Sequence, residues 1–163
     1  MVSPELALDK SLSTQQCVRI IYTSHAVDRF SADELSALGR KCIQNNRRCG
    51  LNGVLLFSSG FFIQCIEGDK QTVATLYEKI KVDPRHTELS LVLEEPIQTR
   101  LFEQWSMGLL NLDMHVSNRN RKRLDKVIVY SNKHGRVMPD AVSVLSAFRE
   151  YMPNDDMTLW SNS

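Results

Sequence analysis

The chain has 163 residues, with 20 Lys plus Arg against 19 Asp plus Glu and a net charge of +1. That length predicts one compact unit with a real core and excludes an enzyme built from separate lobes. At 42% hydrophobic and 24% charged the composition is that of an ordinary soluble globular protein, with no global charge to draw nucleic acid or an anionic membrane.

The first 16 residues are polar, patternless and interrupted by Pro4, which predicts a loose leader or a short surface helix. Glu5 and Asp9 stand where a secretory signal carries basic residues, and no apolar run exceeds four residues, as in Val54-Leu55-Leu56-Phe57. A spanning helix needs about 20, so no membrane association and a cytoplasmic protein are expected. The cysteines, Cys17, Cys42, Cys49 and Cys65, lie 25, 7 and 16 apart. No C-x-x-C pair clamps zinc and no secretory context favours bridges, so they read as reduced thiols in or near the core.

Val18-Arg19-Ile20-Ile21-Tyr22 is rich in β-branched residues and runs into the turn-prone Thr23-Ser24-His25, which predicts a short strand. Ser31 with Glu34 three residues on forms a capping box, and Phe30 with Leu35 forms a hydrophobic staple. A helix then runs through Leu35, Leu38, Cys42 and Ile43 to a stop at Gly50. Gly53 to Phe57 and Phe61 to Ile66 predict two strands joined by a hairpin at Ser58-Ser59-Gly60, with Gln64 the one polar residue inside an apolar run. Asp69 caps a second helix carrying Val73, Leu76 and Ile80, which ends before Pro84. Leu89 to Leu93 alternates as a strand, and Trp105 to Leu110 predicts the last one.

This order gives an α+β, ferredoxin-like βαββαββ sandwich, one mixed five-stranded sheet with two helices on one face. Two further helices, about 120–132 and 140–152, are expected to pack on the other face, the second through Val142, Leu145, Phe148 and Met152. The domains are thus a leader over 1–16, a domain over 17–112 and a helical extension over 113–163.

Certain residues stand in a recognisable order. Tyr22-Thr23-Ser24 is followed by Asn46, by Gly50-Leu51-Asn52-Gly53-Val54-Leu55-Leu56, and by Gly60-Phe61-Phe62-Ile63-Gln64-Cys65-Ile66-Glu67-Gly68. Asp83-Pro84-Arg85-His86 and Trp105-Ser106-Met107 complete the series. Over residues 17 to 112, 96 of 163, the chain resembles the BLUF domains, blue-light sensors that use flavin. The residue chemistry suits such a ligand, because a flavin is a planar ring with an apolar body and a polar edge. Its site should be an apolar slot with a few convergent amides, such as Asn46 and Gln64.

The resemblance implies that Tyr22 hydrogen-bonds Gln64 and passes an electron and a proton to the flavin under blue light. After recombination Gln64 is left with rearranged hydrogen bonds, by rotation or tautomerisation, and donates to the flavin C4 carbonyl, so absorption shifts to the red. A primary amide suits this role because its two faces have opposite hydrogen-bond polarity. Trp105 and Met107 match the residues whose exchange near the glutamine is thought to carry the signal outward. Asn45, Lys79, Asp83, Arg85 and His86 match positions near the flavin or its ribityl chain, and Leu55, Phe62 and Ile66 would line the ring. The implied cofactor is FAD, with FMN or riboflavin as alternatives. Cys42 departs from relatives that carry serine or another small polar residue facing the ring; it reads as a small filler or as a tuner of colour and recovery.

Taken singly each residue has a plainer reading: Tyr22 as a strand aromatic, Gln64 as an edge-strand polar residue, Asn46 as a helix terminus, His86 as part of an Asp83-x-x-His86 metal pair, Trp105 and Met107 as core. Their combination at this spacing favours the sensor. A non-enzymatic light sensor is therefore expected. About 50 residues beyond the domain are too few for an output domain, so signalling through a downstream protein or altered self-association is expected, with homo-oligomers implied by short relatives. The rival is a ferredoxin-like RNA-binding module using the basic run Arg119, Arg121, Lys122, Arg123 and Lys126. Against it, the run can equally be the solvated face of a helix, and the adjacent Phe61 and Phe62 point to opposite faces of their strand.

Overall fold

A computed structural model describes residues 15–103, 105–111, 113, 122 and 126. The elements in order are β1 (Cys17–Ala26), α1 (Ala32–Cys49), β2 (Asn52–Ser58), β3 (Phe61–Asp69), α2 (Lys70–Lys81), β4 (His86–Pro96) and β5 (Gly108–Asn111). The strands lie in the order β4-β1-β3-β2-β5, with β5 parallel to β2 and every other pair antiparallel. This is the ferredoxin-like arrangement with a fifth strand added at one edge. Of the expected leader over 1–16, residues 1–14 lie outside the described residues, as do the expected helix about 140–152 and all of the one about 120–132 but Lys122 and Lys126.

Local chemistry explains where α1 starts and stops. Ser31 Oγ accepts from Glu34 N at 3.1 Å while Ser31 N donates to Glu34 Oε2 at 2.8 Å, completing the capping box. At the other end Gly50 takes the left-handed conformation (φ 67°), and Leu51 N reaches back to the Asn46 carbonyl at 2.9 Å. This end motif satisfies the last carbonyls of the helix. It also holds Asn46 in the final turn with its side chain turned inward and only 2% exposed. Asp69 caps α2 by accepting from Thr72 N and Oγ1, both at 3.0 Å.

Both helices lie on one face of the sheet. Leu35 and Ile43 of α1 pack with Leu55, Phe57, Phe62, Met107 and Leu109, and Phe30 joins the same cluster. Val73 of α2 packs with Val18, Ile20, Tyr22 and Ile66. The opposite face is buried as well: Ile21, Val54, Leu56, Ile63 and Cys65 are at most 1% exposed.

Several element boundaries differ from the sequence expectation. β1 continues through Thr23, Ser24 and His25, because this central strand is laddered on both sides and that pairing outweighs local turn preference. The ladder with β4 shifts register between Ile21 and Tyr22 and again between Thr23 and His25, irregularities no propensity announces. β5 starts only at Gly108. The Trp105 carbonyl is taken instead by Gly53 N at 3.4 Å and Asn52 Nδ2 at 3.0 Å, and the Ser106 carbonyl by Asn46 Nδ2 at 2.8 Å. Cys49 is exposed at the end of α1 rather than near the core, while all four thiols are free.

At Gly53 the chain tolerates no side chain, since a Cβ there would sit 2.1 Å from the Cys65 carbonyl oxygen of the neighbouring strand. Gly53→Ala should destabilise by about 3 kcal/mol through this overlap. The check is the urea midpoint, and an unchanged midpoint would show that β2 can move away from β3 at no cost.

Candidate functional site

A cavity of about 220 Å³ opens between the two helices and the sheet. Tyr22 of β1 and Gln64 of β3 stand opposite each other in the ladder and form its floor, both at most 5% exposed. Tyr22 Oη donates to Gln64 Oε1. That bond turns the other end of the amide away, and Gln64 Nε2 lies 3.7 Å from Met107 Sδ. The amide therefore sits between a phenol and a thioether, the second a weak acceptor.

The walls are mostly apolar: Phe30, Leu38, Leu55, Phe62, Leu76 and Ile80. The convergent polar groups are Asn45, Asn46 and Ser24, and the Ser24 hydroxyl is fully buried with no hydrogen-bond partner among the described residues. A buried unpaired hydroxyl costs about 1–3 kcal/mol, so its position in a cavity wall suits a site that awaits a polar ligand. Lys41, Lys79, Asp83, Arg85 and His86 complete the lining. Asp83 and Arg85 form a bidentate pair that lowers the Asp83 carboxyl to about 2 and raises Arg85. His86 Nε2 lies 2.7 Å from the Ile80 carbonyl and ties β4 to the end of α2.

Burial pushes the Tyr22 phenol well above its ordinary value near 10, and it pushes the Cys42 thiol up to about 11. Both are neutral across the physiological range. Because a folded value raised above the unfolded one stabilises fully below the unfolded value and less as pH rises through the folded one, alkali should loosen this site. The melting temperature should be flat from pH 7 to about 9 and fall beyond it, first through the buried thiols Cys42 and Cys65 and then through Tyr22. A Cys42→Ser variant should make the fall above about pH 9 shallower, with Cys65 still contributing, and an unchanged profile in that variant would remove Cys42 from the account.

The structure brings Tyr22, Asn45, Asn46, Leu55, Phe62, Gln64, Lys79, Asp83, Arg85 and His86 to one cavity, with Cys42 in its wall. Ile66 is buried beneath α2 beside Val73 and does not line it. Met107 lies behind Gln64, whereas Trp105 is stacked on Phe102, with centroids 6.2 Å apart and planes 26° from parallel. Sequence reasoning did not single out Phe30, Leu38, Lys41, Leu76 or Ile80 as lining residues. The helical periodicity that marked Leu38, Leu76 and Ile80 as inward-facing was their only signal. Of the basic run, Lys122 and Lys126 are described and exposed; the other three members lie outside the described residues.

The fold is thus a ferredoxin-like sheet bearing an apolar slot with an amide on its floor and cationic side chains at its mouth. The model of the family described as sensors of blue-light using FAD, BLUF, matches residues 17–108, and the chain belongs to that family. It is 36% identical over 100 residues to the photoactivated adenylate cyclase subunit beta of Euglena longa, covering 61% of this chain and 11% of that protein. The chain thus spans about a tenth of the length of that curated relative. A bacterial light-regulated adenylyl cyclase superposes with a TM-score of 0.66 at 34% identity, over 72% of this chain and 35% of the other. The BLUF protein BlrB in its dark state superposes with 0.64 at 26% identity, over 84% and 97%. The domain is therefore a flavin-binding blue-light sensor. Among the described residues no helix is long and apolar enough to cross a membrane.

Proposed function

We propose that residues 17–112 form a sensor whose switch is Gln64, set by Tyr22, and whose ligand is FAD held without a covalent bond. The observation that carries this reading is the Tyr22–Gln64 hydrogen bond on the cavity floor, with Met107 at the far side of the same amide. When bound, the flavin supplies an excited state that accepts an electron. Tyr22 is the donor on the cavity floor: its phenol is neutral, and its proton already points at Gln64 Oε1. Moving that proton and returning it lets the amide exchange the positions of its donor and acceptor. The rearranged Gln64 would then present an N–H into the cavity, where a bound flavin would accept it and its absorption would move to the red.

Asn46 and Asn45 address the polar edge of the ring from the last turn of α1, and Ser24 supplies a further hydroxyl. The apolar walls exclude water, which strengthens each of these bonds. At less than the usual 300 Å³ or so of a whole-ligand pocket, the cavity suits the ring alone. The phosphate-bearing tail then lies across the mouth, where Lys41, Lys79 and Arg85 are placed to meet negative charge. The domain acts as a sensor rather than an enzyme, with the Cys42 thiol in the cavity wall kept neutral by burial. Its signal passes to an effector protein or through altered self-association, the cyclases among its relatives being the model for such an output.

The test is direct. Purified protein should be yellow, release FAD on denaturation rather than FMN or riboflavin, and shift its flavin band to the red under blue light with recovery in the dark. A preparation that stays colourless after flavin is added would overturn the reading.

A further inference from the structure

On the sheet face opposite the cavity, four polar residues form one cross-strand row. Glu95 on β4, Arg19 on β1, Glu67 on β3 and Asn52 on β2 stand in register. Glu67 is fully buried, and both of its oxygens are occupied. Oε1 accepts from Arg19 Nε at 2.7 Å and from Leu101 N at 3.1 Å, and Oε2 accepts from Phe102 N at 3.0 Å. Arg19 is held from its other side by Glu95 at 2.7 Å. Asn52 continues the grip: its Nδ2 donates to the carbonyls of Glu103 and Trp105, and its Oδ1 accepts from Arg100.

A buried carboxylate is costly unless charge and N–H groups surround it, and here two of those N–H groups belong to a connecting segment rather than to the sheet. Five residues beyond Phe102 the same segment delivers Met107 to the back of Gln64. The segment is thus fixed at both ends of a short span, to Glu67 on one face and to the switch amide on the other, with Asn46 of the cavity wall holding the Ser106 carbonyl between them.

We propose that Glu67 is a positioning residue for the switch: through Leu101 and Phe102 it sets the seat of Met107 against Gln64, and so sets the rate at which the light-adapted state relaxes. This rests on the reading of Gln64 as the light-driven switch. Removing the Glu67 charge weakens the hold on the segment while leaving every group that meets the flavin in place.

Glu67→Gln conserves size and supplies one acceptor but presents an amide donor to a backbone N–H. In the flavin-loaded 163-residue chain the variant should keep its dark spectrum and its red shift, and its dark-recovery rate constant should change by about tenfold, equivalent to about 1.4 kcal/mol. Because the effect acts through Met107, it should shrink to within about twofold when measured in a Met107→Ala background, the limit for additivity. A recovery rate within about twofold of wild type, or an undiminished effect in the Met107→Ala background, would overturn the proposal. Hydrogen exchange on the wild-type protein gives an answer even where Glu67→Gln fails to fold. Illumination should change exchange of the Leu101 and Phe102 amides by at least about threefold, and equal exchange in light and dark would refute the coupling. If the wild-type protein gives no red shift at all, the sensor reading itself fails, an outcome distinct from a red-shifting protein indifferent to Glu67.

Discussion

Gln64→Leu should bind flavin and show no red shift. The leucine fills the same floor position beside Leu55 and Phe62, so the apolar slot keeps its shape and the yellow colour survives. What disappears is the amide on the floor, whose two ends can exchange donor for acceptor. The Tyr22 hydroxyl, buried and donating to Gln64 Oε1, loses its partner at the same time. An unsatisfied buried hydroxyl costs about 1–3 kcal/mol, so the variant should also unfold at lower urea. Absorption difference spectra before and after blue light decide the first point. A red shift of wild-type size in this variant would place the switch elsewhere in the cavity.

Tyr22→Phe removes the same hydrogen bond from the other side and should abolish the red shift for a different reason. The ring remains, but the phenolic proton that accompanies the electron is gone, and electron transfer without it leaves an uncompensated charge in a buried, apolar site. The excited flavin should then live longer, read as brighter emission. Tyr77 provides the control, with its ring centroid 5.7 Å from that of Tyr22 and its side chain outside the cavity. Tyr77→Phe should retain the shift. If the two variants behaved alike, the donor would be the aromatic pair and not Tyr22 alone.

The site was legible because its chemistry is local to short motifs. Gln64 is the one polar residue in an apolar strand, and Tyr22 closes a β-branched run. A tyrosine and an amide of that kind on neighbouring strands of a βαββαββ order can face each other only if the ladder register brings them together, as the β1–β3 pairing does. Helix ends were equally readable: the capping box at Ser31 and the Gly50 stop are side-chain and backbone requirements of a few consecutive residues. Thr23 to His25 misled, because their turn preference is weak beside two ladders of hydrogen bonds. Trp105 to Met107 misled for the converse reason. They have strand-like composition, but the Asn52 and Asn46 side-chain amides hold the Trp105 and Ser106 carbonyls and β2 reaches this stretch only through Gly53 N, so the ladder with β5 begins at Gly108.

From sequence alone came the order of elements, the helix boundaries, the apolar floor with its single amide and the family to which these residues belong. All of these depend on interactions within a turn or a strand. The cavity itself, its unpaired Ser24 hydroxyl, the parallel fifth strand and the contact of Met107 with Gln64 were decided only by tertiary structure. So was the row from Glu95 to Asn52, whose members lie up to 76 residues apart in pairs such as Arg19 and Glu95. A buried Glu67 has no local signal, because its cost is offset by an arginine on one strand and two amides on a distant segment, and only the folded sheet brings them within reach.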